Sequence, residues 1–189
     1  MNPLFEAALE LQQFLQHRGW KFCIIGGLAV VRWGQPRATQ DVDVTLMTGL
    51  GSEAQYVDPL LESFSGRLPD TRQFALENRV LLVSASNGIP LDITLAAYAY
   101  EEQIISRATA FEYVPGVPLT TASAEDLIIL KAFAARDQDW VDVEGIVDRQ
   151  GDELDWDYII EEFIPLSELQ GESKTLNKLK LIQQRDCES

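Results

Sequence analysis

The segment Ile24-Ile25-Gly26-Gly27, followed after thirteen residues by Asp41-Val42-Asp43-Val44, decides how the rest of the chain is interpreted. The first stretch is an apolar run that ends in two glycines, which is typical of a buried strand turning directly into a helix. In the second stretch acidic and β-branched residues alternate, which indicates a strand. Because successive side chains of a strand point to opposite faces, Asp41 and Asp43 are predicted to share one face and the valines the other.

The two aspartates form a candidate cation site. Two like charges about 4 Å apart repel by roughly 4 kcal/mol at an effective dielectric constant of 20, so a fold that keeps them together needs a compensating charge. A hard divalent cation, Mg²⁺ or Mn²⁺, prefers carboxylate oxygens, and Mg²⁺ keeps coordination positions for substrate phosphates. Gly26-Gly27 suits phosphates, because a bare backbone allows close approach and helix N-terminal amides attract anions.

Asp92 is a third candidate carboxylate. The pattern from Arg79 to Leu95, with Asn87-Gly88 at its centre, predicts a β-hairpin whose second strand carries Asp92 between apolar neighbours. A charged residue in this position is either exposed on an open sheet face or placed for a function. The two earlier aspartates favour the functional interpretation.

These features resemble the nucleotidyltransferase superfamily that includes DNA polymerase beta and the kanamycin nucleotidyltransferases. Its signature is a Gly-Gly or Gly-Ser pair, a short spacer and two aspartates flanking one apolar strand residue, with a third carboxylate on a later strand. Gly26-Gly27, Asp41, Asp43 and Asp92 match this signature in order.

Within the superfamily, the chain is similar to small stand-alone proteins related to the abortive-infection AbiEii-type toxins. The similarity rests on Gly-Gly-Leu-Ala at 26–29, on the stretch from Arg37 to Asp43, and on Ser123 to Lys131 followed by Asp139-Trp-Val-Asp142. It covers about residues 20–150.

The resemblance implies an α/β (α+β) fold: a mixed nucleotidyltransferase sheet flanked by helices over residues 1–122, and a helical C-terminal part over 123–189 packed on that core. It also implies transfer of a nucleoside monophosphate from an NTP co-substrate to an acceptor hydroxyl or other nucleophile, with release of pyrophosphate. Asp41, Asp43 and Asp92 would be catalytic and bind Mg²⁺ or Mn²⁺, with Asp92 ligating a second metal ion or acting as the base. Gly26 and Gly27 would cradle the phosphates.

The acceptor stays open between a protein, a small molecule and a tRNA 3′ end, and a toxin or antitoxin partner protein is compatible with the resemblance. Two rival functions also stay open. One is a non-catalytic toxin–antitoxin interaction module with a vestigial site, which the intact aspartates oppose. The other is an aminoglycoside-like small-molecule nucleotidyltransferase, which the acidic charge of the chain would suit because such acceptors are polycationic.

Further polar residues have both a structural and a functional interpretation. Arg37 either pairs with a surface acid or has a functional role, in which it orients the carboxylates or touches phosphate, and Thr39 is a further candidate for nucleotide binding. Lys131 is either a snorkelling lysine at the apolar border of its helix or, as the resemblance to the toxin family implies, a ligand of the triphosphate. At such a border its replacement by alanine should change stability by less than about 1 kcal/mol. Asp139 and Asp142 share one helical face, which is either a solvated acidic face or the later aspartate motif of the family.

Other elements are predicted from periodicity and capping. These are an N-terminal helix capped by Asn2, a first strand at 20–25, a helix capped by Ser52, a short helix at 70–78, a helix at 98–107, a last strand at 110–114, a helix capped by Ser123, and helices on both sides of a break at Pro165.

The net charge of the chain makes some classes of partner less favourable than others. Thirty acidic against fifteen basic residues give a formal net charge of −15 and a pI of about 4.3. Proteins that bind nucleic acid need clustered basic side chains to displace counterions. Lys174, Lys178 and Lys180 lie among polar residues near the C-terminus. The composition therefore disfavours nucleic acid as a general partner, although a local basic patch is compatible with an acidic total.

Length and composition predict a folded cytoplasmic protein. Of 189 residues, 46% are hydrophobic, which is enough for a packed core. No apolar run reaches membrane-spanning length, so no membrane partner is expected. The first residues lack the basic and apolar segments of a signal peptide. Cys23 and Cys187 are expected to be reduced thiols.

Overall fold

The computed structural model describes residues 2–171 and 173–187, which form a seven-stranded mixed sheet and nine α-helices. The predicted α/β (α+β) fold class is confirmed. The strands are β1 (Phe22–Ile24), β2 (Val42–Met47), β3 (Ser65–Gly66), β4 (Val80–Ser84), β5 (Pro90–Ala96), β6 (Thr109–Glu112) and β7 (Pro118–Thr121). The helices are α1 (Pro3–His17), α2 (Gly26–Trp33), α3 (Ala54–Ser63), α4 (Thr71–Asn78), α5 (Ala99–Arg107), α6 (Ala124–Ala134), α7 (Asp137–Gln150), α8 (Trp156–Gln170) and α9 (Ser173–Cys187).

The chain divides into two compact units. The first unit comprises Met1–Leu28 and Ala38–Ala122 and contains all seven strands. The second unit comprises Ala29–Arg37 and Ser123–Ser189. The segment 29–37, which the sequence analysis grouped with the core, thus clusters with the C-terminal helices. Whether 1–122 and 123–189 behave as separate domains stays a prediction.

The sheet has the strand order β3-β4-β5-β2-β1-β7-β6. At its centre β2 and β5 run parallel, and each has an antiparallel partner on its other side, β1 for β2 and β4 for β5. Along β5 buried and partly exposed residues alternate, because leucine and isoleucine face the core while Asp92 and Thr94 face away. The predicted hairpin between β4 and β5 is confirmed.

Strand β7 was missed in the sequence, where 110–114 was predicted to be the last strand. It begins at a proline, follows a turn at Pro115-Gly116 and is only four residues long, so it lacks a clear period-two pattern. Tertiary contacts fix it instead. It pairs in parallel with β1, and the buried side chain of Gln12 donates to the carbonyl oxygen of Pro118 (2.7 Å) and accepts from the backbone N–H of Thr120 (2.8 Å).

Two predicted helix caps are confirmed and one is wrong. The side chain of Asn2 accepts from the N–H of Leu4 (3.0 Å), and that of Ser123 accepts from the N–H of Asp126 (3.1 Å). Helix α3 is not capped by Ser52. It begins after Glu53, which already has helical backbone angles and makes no capping hydrogen bond through its side chain.

The predicted break at Pro165 is also wrong, because α8 continues from Trp156 to Gln170. A proline inside a helix removes one backbone hydrogen bond and crowds the preceding turn. In α8 this loss is outweighed by an apolar stripe at helical spacing, with Trp156, Ile159 and Phe163 all buried.

The core of the first unit is one cluster of aliphatic and aromatic side chains from the sheet, the helices α1 to α4 and adjoining turns. Cys23 is buried in β1, whereas the side chain of Cys187 lies outside the described part of the structure. Among the described residues, no helix combines the length and apolar character that crossing a lipid bilayer requires.

Candidate active site

Three carboxylates meet near the start of the central parallel strands. In the register of β2 and β5, Asp43 lies directly beside Asp92, and Asp41 precedes β2 on the same face as Asp43. One carboxylate oxygen of each aspartate lies within 4.8 Å of those of the other two, and all three side chains are partly exposed. The structure thus brings the three predicted carboxylates together, while their role as metal ligands stays a prediction.

The first glycine of the pair fits against this cluster. Gly26 has a left-handed backbone (φ +62°), and a Cβ atom placed on it would lie 1.8 Å from Oδ2 of Asp43. The backbone N–H of Ile25 also donates to the carbonyl oxygen of Asp43 (2.9 Å). A side chain at position 26 would therefore collide with the carboxylate, so glycine lets the start of α2 approach Asp43 directly.

Gly27 and Thr39 form a second close contact. A Cβ atom on Gly27 would lie 2.3 Å from Oγ1 of Thr39, and this hydroxyl donates to Oδ1 of Asp41 at 3.0 Å. Thr39 was predicted to contribute to nucleotide binding. That role stays a prediction, and in the structure the Thr39 hydroxyl contacts the carboxylate of Asp41.

Arg67 belongs to this cluster and was missed in the sequence. Its guanidinium Nη2 donates to Oδ1 of Asp92. Burial raises the pKa of Asp92, and the negative charge of Asp41 raises it further, so the opposing effect of Arg67 is outweighed. No sequence motif marks Arg67, because its position depends on the pairing of β3 with β4.

The second unit contains a separate, buried ionic cluster around Lys131. The Lys131 ammonium lies 3.0 Å from Oδ1 of Asp139 and 2.9 Å from Oδ2 of Asp142, and all three residues are buried. Arg136 completes the pairing of Asp139 with an Nε–Oδ2 distance of 2.7 Å. Lys131 is therefore neither a snorkelling lysine with a solvated tip nor located at the border of its helix, and Asp139 and Asp142 do not form a solvated face.

Arg37 joins the same cluster. Its guanidinium makes a two-point contact with Asp142, with Nε to Oδ1 at 2.8 Å and Nη2 to Oδ2 at 3.0 Å. Burial would raise the pKa of Asp142 and Asp139, but hydrogen bonds from Arg37, Arg136 and Lys131 outweigh this effect and lower both pKa values. Nucleotide binding by Arg37 and Lys131 stays a prediction, and both side chains already have structural partners.

The comparisons with known proteins agree with this fold. Residues 2–185 match the family of nucleotidyltransferases of unknown function (DUF6036), and the chain belongs to that family. The predicted nucleotidyltransferase superfamily is thereby confirmed, while the relation to AbiEii-type toxins stays a prediction. No curated protein matches the chain in sequence.

Among solved structures, the chain is similar to an antigenic nucleotidyltransferase-like protein from Paracoccidioides brasiliensis. The TM-score is 0.54 at 18% identity, over 97% of this chain and 89% of that chain, which shows a shared fold. Lower similarities are found to the antibiotic-resistance factor ANT(2'')-Ia (TM-score 0.47, 16% identity, 96% of this chain and 91% of that chain) and to the lincosamide antibiotic adenylyltransferase LnuA (TM-score 0.49, 12% identity, 75% of this chain and 94% of that chain).

Gly26→Ala tests the packing of the glycine turn against Asp43. Gly49→Ala is the matched control, because Gly49 also has a left-handed backbone but has open space where its Cβ would be. Both variants should lose about 1–2 kcal/mol from backbone strain, and Gly26→Ala should lose about 1–3 kcal/mol more from the collision. Urea unfolding at neutral pH measures both losses. Equal losses in the two variants would contradict the close packing.

Lys131→Met tests the buried ionic cluster. The variant should lose about 3 kcal/mol of unfolding free energy at neutral pH, because two buried carboxylates lose a shared cation. The border position assumed in the sequence analysis predicted a smaller effect. Lys180→Met, which removes an exposed lysine of the same unit, should change stability by less than about 0.5 kcal/mol.

The loss of stability in Lys131→Met should depend on pH. The folded-state pKa values of Asp139 and Asp142 lie below the reference value of 3.8, so their stabilising contribution is complete above that pH and is lost as the pH falls through the lowered values. Removal of Lys131 reduces this contribution. The stability difference between wild type and Lys131→Met should therefore narrow below about pH 4, and a difference that stays constant from pH 7 to pH 2.5 would contradict the proposed pairing.

Proposed function

We propose that this protein is a metal-dependent nucleotidyltransferase that transfers a nucleoside monophosphate from an NTP to an acceptor nucleophile. The observation that carries the proposal is the convergence of Asp41, Asp43 and Asp92 beside the Gly26-Gly27 turn. Membership of a nucleotidyltransferase family supports the same class of reaction.

The residues present fit a divalent cation. Three carboxylate oxygens within 4.8 Å of one another are a hard, anionic donor set, which suits Mg²⁺ or Mn²⁺. Their partial exposure leaves room for substrate oxygens. Bound metal ions would neutralise the triphosphate and stabilise the oxygens that attack and leave.

The chain's own residues would divide the remaining tasks. Asp41 and Asp43 hold the cation, and the hydroxyl of Thr39 fixes the orientation of Asp41 (3.0 Å). Gly26, which is partly exposed beside Asp43, would let a phosphate approach the N-terminal amides of α2.

Asp92 is placed to handle the proton of the acceptor. Asp92 lies beside Asp41 and Asp43, so one of its oxygens can bind a metal ion while the other accepts the proton of the acceptor. The acceptor oxygen would form a bond to the α-phosphorus as its proton passes to Asp92. The bond from that phosphorus to the bridging oxygen would break, and pyrophosphate would leave with the electron pair.

A cationic or neutral acceptor suits the chain better than a polyanion. With a net charge of −15, the protein repels nucleic acid over distances of about a Debye length, roughly 10 Å at moderate salt. Proteins and cationic small molecules meet no such barrier. A tRNA 3′ end is the exception, because the single-stranded end can enter a cleft while the rest of the tRNA makes little contact with the protein.

A role in a toxin–antitoxin pair is a finer part of the proposal and rests on the sequence resemblance. In that case expression of the chain should arrest growth, and the arrest should disappear in Asp43→Asn. We place the activity in the cytoplasm, where NTP is available and the buried Cys23 thiol would stay reduced.

Metal binding is the direct test of the site. Mg²⁺ or Mn²⁺ should raise the melting temperature of the wild type, because a ligand that binds only the folded state stabilises it by mass action. The triple variant of Asp41, Asp43 and Asp92 to asparagine should fold, since like-charge repulsion is removed, and should lose the response. An equal response in both proteins would show that metal binds elsewhere.

The acceptor class is tested by labelling. The protein is incubated with each α-labelled NTP, Mg²⁺ and a cell extract, and label is then measured in total RNA, total protein and small molecules. We expect label in protein or small molecules, and weak affinity for bulk RNA at physiological salt, because the acidic surface repels polyanions. Label in RNA that disappears in Asp43→Asn would contradict the charge argument and favour a tRNA-modifying enzyme.

A further inference from the structure

Arg67 is held beside the carboxylate cluster by its backbone. It follows β3 at the edge of the sheet, and its N–H donates to the carbonyl oxygen of Leu82 (3.1 Å). Leu82 on β4 is the direct cross-strand partner of Asp92 on β5. This anchoring leaves the long side chain of Arg67 within reach of Asp92, where the guanidinium donates to Oδ1.

The pair is attached less firmly than another arginine–aspartate pair in the same chain. Arg37, whose side chain is 31% exposed, contacts both oxygens of Asp142, whose side chain is only 2% exposed. Arg67 contacts one oxygen of Asp92, and the two side chains are 29% and 33% exposed. Two-point contacts in a dry environment are stronger than single contacts open to water. Arg67 therefore has both a weaker attachment and solvent to move into.

A cation at the three aspartates competes with this contact. The carboxylates carry up to three negative charges, and Arg67 supplies one positive charge at Asp92. A divalent ion that binds an oxygen of Asp92 withdraws negative charge from the carboxylate that Arg67 contacts, and it repels the guanidinium at close range. The two cations cannot both be bound to Asp92 at full strength.

We propose that Arg67 is a positioning residue that neutralises Asp92 in the metal-free protein and gives up this contact when a metal ion enters. The inference rests on the proposed function, because it assumes that the cation binds at Asp41, Asp43 and Asp92. Arg67 thus keeps the mutually repelling carboxylates together before metal arrives, and lowers the affinity for metal alone. The hydrogen bond to Leu82 keeps its backbone in place when the side chain withdraws.

A purely structural role for Arg67 predicts the opposite effect. If the arginine only ordered Asp92 for metal binding, its removal would disorder a ligand and weaken the affinity. If it competes with metal, its removal frees a carboxylate and strengthens the affinity. The direction of the change in metal affinity therefore separates the two roles without any measurement of activity.

The test is calorimetric titration of Mn²⁺ into the 189-residue wild-type chain and its variants Arg67→Gln and Arg72→Gln. Arg72 is the matched control, because it pairs with Asp58 on the surface of the same unit and its loss changes the net charge equally. Arg67→Gln should bind Mn²⁺ about three- to tenfold more tightly than wild type, as expected when a partly exposed ion pair no longer competes, and Arg72→Gln should stay within about twofold. Arg67→Lys keeps the charge and should lie between wild type and Arg67→Gln.

Each outcome decides a different point. Unchanged or weaker Mn²⁺ binding by Arg67→Gln, with wild-type binding that depends on Asp43, would overturn the role of Arg67 and leave the proposed function standing. If Arg72→Gln also bound Mn²⁺ more tightly, and by the same factor, the change would be a general effect of net charge. That result would also overturn the proposed role of Arg67. Absence of Mn²⁺ binding in wild type, or binding that persists in Asp43→Asn, would overturn the metal site and this inference together. If Arg67→Gln fails to fold, Arg67→Lys decides, because competition predicts tighter binding than wild type and a structural role predicts weaker binding.

Discussion

Electrostatic repulsion among Asp41, Asp43 and Asp92 is the constraint around which the first unit is arranged. The parallel register of β2 and β5 places Asp43 beside Asp92, so these two charges cannot move apart without breaking the centre of the sheet. Neighbouring groups then reduce the repulsion. The Thr39 hydroxyl donates to Asp41 and the Arg67 guanidinium to Asp92. Such an arrangement is unfavourable for stability alone, and it fits the proposed cation site.

The two ionic clusters of the chain differ in the way their charges are balanced. Around Lys131, three basic side chains neutralise two buried aspartates, and the lowered pKa values of Asp139 and Asp142 reflect this compensation. At the triad the three aspartates are partly exposed, Arg67 contacts Asp92, and the pKa of Asp92 is raised. Buried charges with ionic partners are typical of a structural role, whereas clustered and accessible carboxylates with a raised pKa are typical of a site.

Glycine at positions 26 and 27 connects the fold to the chemistry. The turn after β1 brings the backbone against Asp43 and Thr39 so closely that a side chain has no space at either position. Phosphate binding by the first peptide groups of α2 stays a prediction. The spacer that follows carries Arg37, which anchors to Asp142, and then Thr39, which orients Asp41.

Local patterns in the sequence determined much of the fold and the central residues of the site. Alternation along β2 and β5 assigned faces to Asp43 and Asp92, the Asn87-Gly88 turn defined the hairpin, and Gly26-Gly27 marked the strand-to-helix turn, because each signal depends on neighbours within a few residues.

Contacts between distant segments were decided by the tertiary structure alone. Arg67 and Asp92 are 25 residues apart, and Arg37 and Asp142 are 105 residues apart. An arginine or lysine can pair with any of the thirty acidic residues, so the sequence does not specify which one. Strand β7 also forms because it pairs with neighbouring strands, since its own residues lack a clear alternating pattern. Lys131 pairs with aspartates because the fold buries it beside them.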